Sequence, residues 1–304
     1  LNDVHVRALA WLLDAPDLLD VQAPQWRGKI ATLGHDAACE AEGWLAELDR
    51  APGALHAYLA VQPFTRLGRY AEKLMAFYFQ HQGILFAHGV QVQAGKTDTV
   101  GEFDFLLHQG EGLVHWEFAT KFYLLESSGA GQAPDYFVGP NLADTLGAKM
   151  HKILERQLSL AQHPAAQKHL PQSVSAAQAL VKGWLFYHDD DPMPAQLAGV
   201  SEEHCRGFWC TLAELDANGA GRYAILNRLS WLAPVKITMA QSLDRQALQD
   251  ILTEHFACDT MPVMLALLAP QGDCLIETSR GFVVPNDWRS RAGERVLRTI
   301  ALSR

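Results

Sequence analysis

The chain has 304 residues, of which 49% are hydrophobic and 19% charged, a globular balance that suits one large domain or two smaller ones. Its formal net charge of −9 at pH 7 excludes a general electrostatic attraction to nucleic acids or anionic lipids. Any polyanionic substrate must therefore meet a local basic patch or a bound cation.

No part of the sequence indicates export or membrane insertion. No apolar run approaches the roughly 20 residues of a membrane span, and the first residues lack a secretory pattern. We expect a cytoplasmic chain without membrane partners. The five cysteines follow neither zinc-ribbon nor disulfide-framework spacing, so reduced and mostly buried thiols are expected at Cys39, Cys205, Cys210, Cys258 and Cys274.

Residues 1–62 are predicted to form a helical extension, because apolar residues recur there at helical spacing. A second, strongly amphipathic helix is predicted over residues 66–82. Glu72 is expected at the edge of its apolar sector and away from Arg69. This glutamate is either a solvated boundary residue or a carboxylate directed at whatever the helix packs on.

The stretch 101–125 predicts a β-hairpin, which follows a predicted strand over residues 84–93. Its sequence is GEFDFLLHQGEGLVHWEFATKFYLL, in which two runs rich in β-branched and aromatic residues flank a connection with two glycines. Strand alternation places Phe103 and Phe105 together on one face. The opposite face of this first strand carries acids.

Acidic side chains on both strands are predicted to converge. Alternation puts Glu102 and Asp104 on one face of the first strand, and His115, Glu117 and Lys121 on one face of the second. Buried ionised groups cost several kcal/mol unless they are paired or bind a metal, so this pattern indicates a functional site. Glu102 either binds metal or pairs with Lys121, and His115 has no assigned role beyond support of the acids.

Residues 141–161 predict another amphipathic helix, with Asn141 as its candidate N-cap. Lys149, Lys152 and Arg156 form a basic stripe beside its apolar side. The stripe is either solvated surface or the place where a phosphate backbone lies. Gln157 falls within the apolar sector, so its amide is either a satisfied core group or part of a polar site.

The predicted elements of residues 63–190 follow the order helix, three strands, helix, strand, and residues 191–304 add an α/β extension packed on this core. This α/β order resembles the αβββαβ core of the PD-(D/E)XK (restriction-endonuclease-like) nuclease superfamily, which implies a mixed central sheet. The chain also looks like a member of an uncharacterised bacterial family of unknown function that is assigned to that superfamily. The segments that carry this likeness are RLGRYAEKL, GEFDFLL, EFATKFYLL and, near the end, RGFVVPNDW.

The resemblance implies a metal-dependent nuclease that hydrolyses phosphodiester bonds of DNA or RNA with Mg²⁺ or Mn²⁺. It assigns catalysis to Asp104, Glu117, Lys121 and Glu72. The same three acids, joined by Glu102, would hold the metal. Two carboxylates that share one Mg²⁺ lie roughly 4 to 5 Å apart. Substrate binding is assigned to Lys149, Lys152, Arg156 and Gln157.

One departure from the superfamily concerns its lysine, which usually stands two residues after the acid, where this chain has Ala119. Lys121 lies four residues after Glu117, with its Cα about 13 Å away along a regular strand. A strand bulge or the long side chain recovers part of that distance.

Two alternatives to the nuclease follow from this departure and the acidic net charge. One is a catalytically inactive nuclease-fold module that binds nucleic acid or a protein partner. The other is a structural scaffold in which Glu117 and Lys121 form a salt bridge. A homodimer is also left open, since the apolar strands of the last third are expected to pack against the core or a second subunit.

Overall fold

The computed structural model describes residues 1–34, 36–95, 98–126, 133–192, 194, 196–215 and 221–302. Within these residues the helices are α1 Val4–Asp14, α2 Ala37–Arg50, α3 Gly53–Ala60, α4 Leu67–His81, α5 Leu146–Glu155, α6 Arg245–Cys258 and α7 Trp288–Leu302. The strands are β1 Leu85–Gln93, β2 Thr99–Gln109, β3 Gly112–Leu125, β4 Phe137–Val138, β5 Val174–Tyr187, β6 Cys205–Thr211, β7 Arg222–Leu226, β8 Lys236–Ile237, β9 Val263–Gln271 and β10 Cys274–Val284.

The strands form one mixed sheet in the order β1-β2-β3-β5-β6-β10-β9-β7, with β4 paired to β3 and β8 to β10. Its first three strands are an antiparallel meander. β3, β5, β6 and β10 run parallel, and β9 and β7 follow antiparallel. The mixed sheet with its helices confirms the predicted α/β class. The strands after residue 190 continue this sheet, while the division at residues 62 and 190 stays a prediction.

The helix α4 covers one side of the meander, as its periodicity predicted. Its buried residues recur at helical spacing and include Phe79, whose ring meets those of Phe105 and Trp116 edge to face. The helices α1, α2 and α3 contribute to the same apolar cluster. Met150 and Ile153 of α5 belong to a separate apolar cluster with residues of β3 and β5. The sheet therefore lies between α4 and α5.

The start of α5 differs from the prediction of an N-cap at Asn141. The hydroxyl of Thr145 accepts a hydrogen bond of 3.2 Å from the N–H of Ala148 and caps the helix. Leu142 has a φ of 59°, a left-handed conformation that no α-helix includes. The α-helix ends at Glu155, and a 3₁₀ helix over Gln157–Gln162 follows.

The cysteines are all free, but the expectation that most are buried is wrong. Cys39 and Cys258 are exposed, and the remaining three are half-buried. No helix in the described ranges is long and apolar enough to cross a membrane.

Candidate functional site

The site begins at a gap in the sheet between β2 and β3. The ladder of these strands ends at the pair Phe105–Trp116, although both strands continue past it. In the gap, Oδ2 of Asp104 accepts a hydrogen bond of 3.0 Å from the backbone N–H of Phe118. A side-chain carboxylate thus satisfies a strand N–H that the ladder no longer pairs.

The gap coincides with a break in the side-chain alternation of β2. Phe105 packs against α4 on one face of the sheet. Phe103 contacts the ring of His115 on the other face. The prediction that these two phenylalanines share a face is therefore wrong. The neighbouring strand β1 is irregular at the same place. His88 pairs with Phe105 and Val90 with Phe103, and Gly89 between them has a φ of 62°. Glycine adopts this left-handed conformation at no steric cost, and Gly89 lies opposite Asp104 in the register of β1 and β2.

Four carboxylates meet beside the gap. Oxygen atoms of Glu72, Glu102 and Asp104 all lie within 4.8 Å of one another. Glu117 on β3 joins them, since its carboxyl and that of Asp104 are close enough to share a hydrogen bond. The side chain of Glu72 is 20% exposed. Of the two alternatives that the sequence left open, Glu72 is therefore the carboxylate directed at the surface on which the helix packs.

Burial and mutual repulsion change the protonation of these acids. Burial, with the charge of Glu117 added, raises the pKa of Asp104 to about 8. Burial likewise raises the pKa of Glu117 to about 8 and, together with the charge of Asp104, that of Glu72 to about 7. The cluster therefore retains protons near neutral pH unless a cation offsets its charge.

Arg69 is the counter-ion of this cluster in the structure. Its Nη1 donates to Glu72 at 2.8 Å and its Nη2 to Glu102 at 2.7 Å. These bonds lower the pKa of Glu102 and raise that of Arg69. The expectation that Glu72 lies away from Arg69 is wrong, because residues i and i+3 are neighbours on a helix. The alternative pairing of Glu102 with Lys121 is also absent among the described contacts.

Two further side chains lie within hydrogen-bond distance of Glu117, the buried His115 and the half-buried Gln157. Oε1 of Glu117 lies 2.8 Å from Nε2 of His115, and its Oε2 accepts a bond of 2.5 Å from the amide of Gln157. Burial lowers the pKa of His115 to about 4, so the ring is neutral near pH 7. Gln157 is thus part of the polar site, one of the two alternatives that the sequence left open.

Lys121 stands apart from the acids as an unpaired amine. Burial, with the charge of Lys149 added, lowers the pKa of Lys121 to about 8, while the charges of Asp144 and Asp104 act in the opposite direction. Its Nζ forms no ion pair or hydrogen bond within the described part of the chain. The Glu117–Lys121 salt bridge that the scaffold alternative predicted is therefore absent from the described contacts.

A cleft of about 990 Å³ collects these groups. Among its described lining residues are seven lysines and arginines against five acids, so the cleft is locally positive although the chain carries −9. Every residue that the sequence assigned to the site lines it, namely Glu72, Glu102, Asp104, Glu117, Lys121, Lys149, Lys152, Arg156 and Gln157.

Several lining residues were missed by sequence reasoning. Arg69 was recoverable from its i, i+3 spacing to Glu72. Arg228 was not, because it comes from the last third of the chain and lies over the ring of Trp231 at 5.6 Å. The buried guanidinium of Arg280 donates to the backbone oxygen of Trp231 and holds this segment against the cleft.

The donor set fits a divalent cation that prefers oxygen. All the converging ligands are carboxylates, which suit Mg²⁺ or Mn²⁺ better than the softer ligands typical of zinc sites. Two oxygens on one Mg²⁺ are at most about 4.2 Å apart, given bonds near 2.1 Å. The ligand oxygens of Glu72, Glu102 and Asp104 lie within 4.8 Å of one another, which is close to this limit.

A protein-family model with the description "Domain of unknown function (DUF1853)" matches residues 7–284. The chain therefore belongs to this family, and the match includes every residue of the acid cluster. No curated protein and no solved structure matches the chain.

Proposed function

We propose that this member of the DUF1853 family is a metal-dependent nuclease that hydrolyses phosphodiester bonds of DNA or RNA with Mg²⁺ or Mn²⁺. The observation that carries the proposal is the meeting of four carboxylates in a locally positive cleft that the unpaired Lys121 also lines. Support also comes from the sheet order β1-β2-β3-β5 between α4 and α5, which agrees with the αβββαβ core of the PD-(D/E)XK superfamily.

The acids and Lys121 divide the chemistry between them. A bound divalent cation would polarise the phosphoryl oxygens and activate a water molecule for attack on phosphorus. Glu72, Asp104 and Glu117, with Glu102 once it is free of Arg69, would supply its protein ligands. Lys121, with a pKa of about 8, is partly neutral just above neutral pH. Its Nζ can therefore accept a proton from the attacking water, or in its charged form stabilise the developing negative charge.

The basic side chains of the cleft would hold the phosphate backbone. Lys149 pairs with Asp144 at 3.3 Å. The side chains of Lys152 and Arg156 are exposed and form no ion pair among the described residues. Such unpaired cations position a nucleic acid without reading its sequence, so the proposal includes no sequence specificity.

The proposal is tested by incubating the purified chain with single- and double-stranded DNA and RNA in Mg²⁺ or Mn²⁺. We expect cleavage that EDTA stops and that Asp104→Asn or Lys121→Ala reduces at least a hundredfold, the scale of lost electrostatic stabilisation. Glu111→Gln, an exposed acid in the turn of the same hairpin, serves as the matched control and should cleave normally. Absence of cleavage on all four substrates with either cation would overturn the proposal.

The runner-up is a catalytically inactive nuclease-fold module, and one observation favours it. Ala119, at the usual lysine position, is 9% exposed and belongs to an apolar cluster, so that position offers no charge to the site. Such a module would bind nucleic acid with an affinity that is unchanged by Asp104→Asn, and it would cleave none of the four substrates.

A further inference from the structure

The guanidinium of Arg69 binds two of the four acids that would ligate a cation, Glu72 and Glu102. Nη1 bonds to Glu72 at 2.8 Å and also to Oε1 of Glu102, while Nη2 bonds to Oε2 of Glu102 at 2.7 Å. This two-pronged contact is the geometry in which arginine binds a carboxylate most strongly. Both oxygens of Glu102 are therefore already engaged.

We propose that Arg69 competes with the divalent cation for Glu102. When the cation binds, Arg69 leaves Glu102 and donates hydrogen bonds to a phosphate of the substrate. The inference rests on the proposed function and adds a regulation of the same site. It follows from charge, because a cation on an oxygen of Glu102 would bring a second positive charge against the guanidinium of Arg69 and weaken its bonds to that carboxylate.

The surroundings of Arg69 allow this exchange. Its side chain is 48% exposed, so it can rotate into the cleft without opening the apolar core under α4. It keeps its positive charge after release and therefore needs another anion. The phosphate backbone in the cleft is the anion that the proposed function supplies.

The exchange couples cation binding to substrate binding. A cation that frees Arg69 raises the affinity for a phosphate backbone, and by linkage the backbone raises the affinity for the cation by the same factor. Arg66, the residue before the first turn of α4, also lines the cleft but forms no bond to the acid cluster among the described contacts. It is therefore the matched control for the loss of one positive charge.

The test measures Mn²⁺ binding by the full chain with calorimetry and electron paramagnetic resonance, without any turnover. We expect Arg69→Met to bind Mn²⁺ about tenfold more tightly than the unmodified chain, a typical coupling factor, and Arg66→Met to remain close to it. Thermal melting of each variant checks folding. Arg69→Lys, which keeps the charge but loses the planar fork, should give an intermediate affinity.

A second arm measures the affinity for a phosphorothioate DNA oligonucleotide by fluorescence anisotropy, with and without Mn²⁺. We expect Mn²⁺ to strengthen oligonucleotide binding about tenfold in the unmodified chain and clearly less in Arg69→Met. Equal or weaker Mn²⁺ binding by Arg69→Met than by Arg66→Met would overturn the inference and leave the nuclease proposal standing. No Mn²⁺ binding by any of the proteins would overturn both.

Discussion

The carboxylate of Asp104 accepts a hydrogen bond of 3.0 Å from the backbone N–H of Phe118, across the point where β2 and β3 stop pairing. This bond fixes the carboxylate on the strand that also carries Glu117. It also lets one side chain reach Glu72 from α4 on one side of the sheet and Glu117 on the other. The predictions below follow from this position.

Asp104→Asn should stabilise the metal-free protein at neutral pH. The pKa of Asp104 is raised from 3.8 to about 8, so the folded state binds more protons than the unfolded state between these values. Its contribution to stability therefore falls as the pH rises through that window. Asparagine keeps the acceptor for Phe118 but carries no charge. We expect a gain of about 1 to 2 kcal/mol at pH 7.5 in EDTA, measured by urea unfolding.

The gain from Asp104→Asn should grow between pH 5 and pH 8. The unfolded aspartate is ionised over this range, so the proton that the folded state must take up on Asp104 costs more free energy as the pH rises. Glu111→Gln is the control and should change stability by less than about 0.5 kcal/mol. An Asp104→Asn protein that is less stable than the unmodified chain throughout this range would disprove the account of the acid cluster.

Stabilisation by Mg²⁺ should depend on pH in the same window. Protons and the cation compete for Asp104 and Glu117, whose pKa values are both about 8. At pH 6 the cation must displace protons, and at pH 8.5 it meets ionised carboxylates. We expect the increase in melting temperature on adding Mg²⁺, relative to EDTA, to be clearly larger at pH 8.5 than at pH 6. An equal or opposite difference would show that these acids are not the ligands.

Gln157→Leu should weaken the binding of the proposed divalent cation. The amide donates to Oε2 of Glu117 at 2.5 Å, and loss of a group that orients a metal ligand typically costs 10- to 100-fold in metal affinity or activity. We expect a loss of about tenfold in Mn²⁺ affinity, measured by calorimetry. Gln162→Leu, on the same 3₁₀ helix but exposed, is the control. An identical Mn²⁺ affinity for both variants would refute the assigned role of Gln157.

The double variant Lys152→Ala/Arg156→Ala should weaken nucleic-acid binding and its salt dependence. Each phosphate contact contributes about 0.9 to the slope of log affinity against log salt for duplex DNA, so loss of two contacts lowers its magnitude by about two. Lys149→Ala should have a smaller effect, because Lys149 already pairs with Asp144. The measurement is fluorescence anisotropy across a salt series. An unchanged slope in the double variant would place the substrate elsewhere.

The elements that carry the site were predictable because their signals are local. The helix predicted over residues 66–82 is observed as Leu67–His81, and the hairpin as Thr99–Gln109 and Gly112–Leu125. Periods of 3.6 and 2 residues follow from backbone geometry within a few residues. The same spacing marked Asp104, Glu117 and Lys121 as lining residues. Local spacing did not predict where the helix after Asn141 begins, because the side chain of Thr145 caps it.

The sequence by itself determined which residue types stand on which elements, and so the acids, the lysine and the basic stripe. Only the tertiary structure decided how they meet. The gap at Asp104 depends on where the β2–β3 ladder stops and on Gly89 of the neighbouring strand. The position of Arg228 depends on a sheet that brings the last third of the chain to the cleft. Such contacts join residues distant in sequence, and their geometry follows from the packing of the whole sheet.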